Sequence, residues 1–461
     1  MKNKFNIFVI LCCTIILLSC KDDFLNEKPK TSLVVPTTLG DFEAMLNSPV
    51  IYKTGALGQM ACDDYEFTDY ASWQSTGTAT ERNSYIWARD LFAGEQSRPD
   101  WNEPYSSIFY ANNILKGLAE INPRTDISKY NQIRGWALYV RSAAFYDLLQ
   151  NFAPPYDPST ASEDLGIPLR LTPGVDEILP RSSVAECYAR ILTDLIESGD
   201  LLTATFPITN RYMPCKAAAF GLLSRIYLNM NLYKEASKFT DLALAEYNKL
   251  IDYNSLSQTS GTPFSFTHDE LILNSSQVST YEITIPRNIN TRVRVSPDLI
   301  KLYDTKDLRL SIFFERMSNG NYSMKRGYYG STGNYGFSGI ATDELFLTKA
   351  ECQARNGETA NALFTLNQLL VKRYATGNFV PTVANSATEA LTKILVERRK
   401  ELVWRNLRWP DLRRLNKSGM GIILKRSLNG AEYILAPNSS LYTFPIPDDE
   451  INASGIQQNL R

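Results

Sequence analysis

The 461-residue chain contains a single histidine, His268. That scarcity removes His-rich metal sites. It also argues against a Ser-His-Asp or Cys-His nucleophilic centre, because His268 sits in a polar, loop-like stretch. Paired-carboxylate chemistry survives the same test. Cysteine is sparse as well: beyond residue 20 only Cys62, Cys187, Cys215 and Cys352 remain. An even number permits disulfides, but none of the four is spaced in a metal or redox pattern. Cys187, Cys215 and Cys352 fall within helical patterns and read as small buried hydrophobes. Neither sign of charge is in excess, with 48 Lys and Arg against 49 Asp and Glu and a net charge of −1. No basic stripe or arm is present, so nucleic acid is not an expected partner. Long apolar runs are absent with one exception.

That exception is Phe5 to Leu18, about fourteen residues where a membrane-spanning helix needs roughly 20. Lys2 and Lys4 precede it, so residues 1–19 read as a cleaved export signal. Leu17-Leu18-Ser19-Cys20 resembles the lipobox of bacterial lipoproteins, whose Cys thiol carries a diacylglycerol through a thioether. At about 0.8 kcal/mol per buried CH2, two or three acyl chains hold a soluble domain at the membrane. Lys21-Asp22-Asp23 resembles the short signal that sends Bacteroidetes lipoproteins to the outer leaflet of the outer membrane.

Residues 20–40 read as a lipidated, flexible tether and residues 41–461 as one domain. Within it, helical patterns alternate with long irregular segments. Asp41–Leu46 reads as a short helix, Trp101–Ala119 and Lys129–Asn151 as long ones, and Ser182 as the N-cap of another that runs to Leu202. In 216–247, Leu223, Tyr227, Tyr233, Ala236 and Ala243 fall at tetratricopeptide spacing. The small Ala residues let two antiparallel helices approach, and the Tyr rings fill the wedge between neighbouring pairs. In 343–373 the same frame places Ala350, Gly357 and Ala362, with Gln353 where Tyr is expected. Such units bury their faces only by stacking, so 129–202 and 387–416 are read as further pairs. The expected fold is all-α, a tetratricopeptide-like superhelix of about four helix pairs at 129–250 and 343–416, with little β. Residues 50–100 read as ordered loop. Residues 252–342, rich in Ser, Asn, Tyr, Gly and Thr, read as an excursion packed beside the scaffold and carrying recognition.

Four motifs in order then carry a family resemblance. Cys20-Lys21-Asp22-Asp23-Phe24-Leu25 with Pro29 is similar to the mature start of SusD/RagB-type nutrient-binding lipoproteins. Arg141, Ala144, Phe145, Asp147 and Leu148, followed by Gly166-Ile167-Pro168-Leu169, resemble that family's first long helix and its loop. Glu397 to Leu402, Arg408-Trp409 and Asp411 to Arg414 resemble its C-terminal signature. Pro445-Ile446-Pro447, Glu450-Ile451-Asn452 and Gln458-Asn459 resemble its closing segment, except that Leu460-Arg461 stands where Pro-Gly-Tyr is common. The resemblance implies a non-catalytic, cofactor-free protein on the outside of the outer membrane. It would capture an oligosaccharide or other nutrient and pass it to a SusC-like TonB-dependent transporter.

Sugars are recognised by stacking their C–H faces on aromatic rings and by bonding hydroxyls to Asp, Asn and Arg. Asp63, Asp64, Tyr65, Asp69, Tyr70, Trp73, Arg82, Tyr85 and Trp87 provide that mixture. Tyr328, Tyr329, Tyr335 and Phe337 offer a second wall. Glu397 and Glu401 lie one helical turn apart and raise the possibility of a surface glycosidase. With Arg398, Arg399, Arg405 and Arg408 close in sequence, they read instead as an ion-paired helix end. An envelope scaffold with no small ligand is the remaining alternative.

Overall fold

The computed structural model describes residues 36–285, 292–330 and 335–461. The export signal, Cys20, Lys21, Asp22, Asp23 and most of the tether lie outside these residues. Ten helices of eight or more residues occur among the described residues: α1 (Leu39–Leu46), α2 (Pro99–Leu118), α3 (Ile127–Phe152), α4 (Val184–Leu201), α5 (Lys216–Asn229), α6 (Tyr233–Glu246), α7 (Thr342–Arg355), α8 (Thr359–Leu370), α9 (Ala387–Glu401) and α10 (Arg408–Lys417). From α2 to α7 each helix packs on the next, and α7 then contacts both α8 and α9. This is the expected stacked superhelix.

Local chemistry starts and stops these helices. Thr38 and Asp41 form a capping box on α1, and Pro99 opens α2, where a missing N–H costs nothing. The cap of α4 is Ser183, not Ser182. The Ser183 hydroxyl accepts from the Glu186 N–H at 3.2 Å and the Glu186 carboxylate accepts the Ser183 N–H at 2.8 Å. Only Ser183 stands three residues before a Glu, as a capping box requires. Ala236, Ala243, Ala350 and Ala362 are fully buried at the helix contacts. Tyr227 stacks on Phe239 at 5.4 Å, while Tyr233 lies under the Arg355 guanidinium. Gln353 accepts a hydrogen bond from Thr365 at 2.8 Å, linking α7 to α8 without a ring.

Two expectations need correction. Residues 50–100 are not loop alone: they hold short helices at Leu57–Ala61, Tyr70–Gln74 and Ala79–Tyr85 and a strand at Tyr65–Phe67. Elements this short show no sustained period. Residues 387–416 are not an antiparallel pair either, since α10 packs on Leu57–Ala61 and α5. The chain is diverted by Trp404 and Asn406, both with left-handed φ, 61° and 57°. Asn tolerates that region; Trp does not. Trp404 is held there by its indole N–H on the Thr284 carbonyl and its backbone N–H on Asp64.

Strands form only two-stranded ladders among the described residues. The longest, Leu424–Leu428 with Ala431–Leu435, turns at Asn429-Gly430, both with positive φ. One large apolar core runs from Phe42 through α2–α6 to Trp409 and Phe444, and a smaller one joins α7, α8 and α9. No helix among the described residues is long and apolar enough to cross a membrane.

Candidate functional site

Strand Tyr65–Phe67 pairs antiparallel with Val293–Val295. Its alternation sends Tyr65 and Phe67 inward and leaves Glu66 half-exposed, paired across the ladder with Arg294 at 3.1 Å. The chain then turns outward. The Asp69 carboxylate caps the next helix by accepting from the Ser72 N–H at 2.7 Å. One turn apart on that helix, Tyr70 and Trp73 stack with centroids 5.5 Å apart and planes 21° from parallel. Both rings are partly exposed. Trp73 is fixed by its indole N–H on the Arg82 carbonyl at 3.0 Å, and the Arg82 guanidinium donates to the Thr76 carbonyl. The result is an aromatic pair held beside Asp69 and Arg82.

Other residues of the same stretch point into the molecule. Tyr65, Tyr85 and Trp87 are buried and surround the Arg426 guanidinium, 5.6, 3.8 and 4.7 Å from the ring centroids. Arg426 also donates to the carbonyls of Ala61, Cys62 and Tyr85. The Trp87 indole bonds the Ala61 carbonyl at 3.0 Å. Asp64 is buried, accepts from Gln59 and the Trp404 N–H, and burial raises its pKa. Asp63 accepts from Arg399 at 2.5 Å and Arg408 at 2.7 Å. Burial pushes its carboxyl up, but the two guanidinium groups hold it well below the usual range. Burial and saturated partners therefore take Asp64, Tyr65, Tyr85 and Trp87 out of ligand reach. Nothing local marked these rings as internal, because Arg426 arrives from the distant C-terminal hairpin.

The second aromatic group divides similarly. Tyr328 is buried, its hydroxyl against Glu270, Asp343 and Tyr253, and Phe337 is buried beside it. Tyr329 shares a hydrogen bond with Tyr212 and meets Tyr335 edge to face at 5.3 Å. Tyr335 is partly exposed, with the Lys53 ammonium 5.6 Å from its centroid. No hydrogen bond or ring contact joins this group to Tyr70 and Trp73 among the described residues. His268 is not in polar surroundings: it is buried against Phe264 and Tyr328, and burial drives its pKa down to about 3.

Glu397 and Glu401 are ion-paired, but with different partners than sequence proximity suggested. Arg309 bonds Glu397 at 2.6 Å, Glu401 at 2.9 Å and Asp307 at 2.7 Å. Arg373 bonds Glu401 and Glu270, both at 2.7 Å. Arg398 turns instead to Asp411, Arg399 and Arg408 to Asp63, and Arg405 to Asp343. Successive helix positions point about 100° apart, so adjacent residues cannot share a face. Glu270, Asp343 and Glu401 do gather carboxylate oxygens within 4.8 Å of one another. Arg309, Arg373 and Arg405 already pair with these three carboxylates, which makes the cluster a structural ion network.

One buried acid differs. Asp147 accepts from the Gly55 N–H at 2.8 Å and lines a cavity of about 80 Å³ with Tyr139, Tyr146, Arg225 and Trp409. Burial pushes it up to about 7, and Asp100 adds to the rise. Cys62, Cys187, Cys215 and Cys352 are free and buried.

Comparison with known proteins matches this architecture. Residues 23–228 match the family described as starch-binding associating with outer membrane (SusD-like), and residues 314–460 match the SusD family. The chain belongs to the SusD/RagB family. A SusD-like protein of Formosa agariphila is 23% identical over 384 residues, covering 69% of this chain and 72% of the relative. A SusD superfamily structure from Bacteroides thetaiotaomicron superposes with TM-score 0.75 at 21% identity, covering 92% of this chain and all of the other. A laminarin-binding SusD-like protein superposes with TM-score 0.65 at 18% identity, covering 91% and 97%.

Proposed function

We propose that this protein is a cell-surface lipoprotein that captures an oligosaccharide and delivers it, unaltered, to a SusC-like TonB-dependent transporter. The partly exposed Tyr70–Trp73 stack carries this reading. It offers a fixed aromatic face for C–H stacking, with Asp69 and Arg82 beside it for sugar hydroxyls. Tyr335 supplies a further partly exposed ring. Family membership supports the capture role, and the laminarin-binding relative supports a glycan as the cargo. A non-catalytic role is supported by Glu397 and Glu401, which Arg309 and Arg373 tie down. Cys20 and Lys21-Asp22-Asp23 support lipid attachment on the outer face.

Calorimetric titration with β-1,3-glucan and α-1,4-glucan oligosaccharides, followed by chromatography of the mixture after long incubation, tests it. Saturable binding with intact glycan is expected. Shortened products would favour a surface glycosidase, and no binding to any probe would favour an envelope scaffold. Protease added to intact cells should digest the protein; protection would overturn the surface assignment.

A further inference from the structure

Helix α2 carries a second ring surface on the side of the molecule formed with the 168–175 loop. Trp101, Tyr105 and Phe109 recur every fourth residue, so each step along the helix advances about 6 Å, close to the length of one pyranose ring. Trp101 is buried, Tyr105 half-buried and Phe109 41% exposed. Trp101 and Tyr105 lie 4.9 Å apart. A parallel stripe on the same helix, Asn102 and Ser106, lines the same groove of about 390 Å³.

The opposite wall is preorganised. The Tyr105 hydroxyl donates to the Pro168 carbonyl at 2.9 Å. The buried Asn112 amide donates to the carbonyls of Arg170 and Thr172 and accepts from Arg141, which is itself paired with Asp194. At one end the Glu450 carboxylate accepts from the Trp101 indole at 3.3 Å.

We propose that this groove is a second glycan subsite, taking a neutral oligosaccharide. It rests on the capture role inferred above but uses none of the same residues. Tyr105 and Phe109 supply stacking faces, while the Asn102 amide and Ser106 hydroxyl, which make no side-chain hydrogen bond among the described residues, meet sugar hydroxyls. An apolar protein segment seated here would bury those two groups without partners. Sugar hydroxyls satisfy them.

The test uses full-length protein with the same glucan oligosaccharides, read by calorimetry and by saturation-transfer NMR. In the Trp73→Ala protein a weaker binding event should persist. Adding Phe109→Ala or Asn102→Ala should weaken it at least tenfold, with an unchanged melting temperature, since both side chains are exposed. Binding abolished by Trp73→Ala alone overturns this subsite and leaves the capture reading standing. Residual binding that ignores Phe109→Ala and Asn102→Ala overturns it as well, and so does a groove that takes an apolar peptide in preference to every glucan. A wild-type protein that binds no probe overturns both readings.

Discussion

Tyr65, Tyr85 and Trp87 close around the guanidinium of Arg426, whereas Tyr70 and Trp73, from the same short stretch, stack on each other at the surface. The inner rings are used as walls for a buried cation, each with its polar edge bonded to protein. The outer pair is anchored by one indole hydrogen bond and stays partly exposed. The difference teaches that an aromatic and acidic composition suited to sugar recognition is equally suited to lining an internal guanidinium. Which use is made of each ring depends on an arginine brought from far along the chain.

Breaking the inner set should have the largest effect. Trp87→Ala leaves a cavity under Arg426 and removes one of the two donors to the Ala61 carbonyl, and should cost about 3–5 kcal/mol in denaturant unfolding. Charge sharpens the comparison next, because Arg426 is fully engaged while Asp147 forms no ion pair among the described residues. The folded-state pKa of Asp147, about 7, lies above its unfolded value. Its contribution to stability is therefore intact below about pH 4 and lost as pH rises through 7. Asp147→Asn mimics the protonated form and keeps an acceptor for the Gly55 N–H. It should stabilise the protein by roughly 2–4 kcal/mol at pH 8 and change nothing at pH 4, read from melting curves at the two pH values. Arg426→Met retains the apolar stem but abandons three carbonyls, costing about 1.5–3 kcal/mol in the same unfolding assay. Trp73→Ala should cost the least, below about 1 kcal/mol, because its ring is only partly buried.

The long helices were legible because period and caps are local: Thr38 with Asp41, and a Ser three residues before Glu186. Their stacking followed from alanines at close contacts. The break after α9 was not legible, because Trp404 holds a left-handed backbone only through partners at Asp64 and Thr284. Glu397 and Glu401 were recognisable as ion-paired, yet Arg309 and Arg373 come from other elements and no spacing announced them. At the candidate site the composition was readable and the orientation was not. The strand that buries Tyr65 and Phe67 is three residues long, too short for alternation to declare a face. The motif residues Arg141 and Asp147 also have physical reasons to be where they are, the first holding Asn112 and the second the Gly55 backbone.

The partly exposed Tyr70–Trp73 stack as the capture surface is tested most directly by titrating wild-type and Trp73→Ala protein with the same glucan oligosaccharide and melting both in parallel. Affinity reduced at least tenfold at a melting temperature within a degree or two is the predicted result. Unchanged affinity, or an affinity loss that tracks a loss of folding, would contradict it.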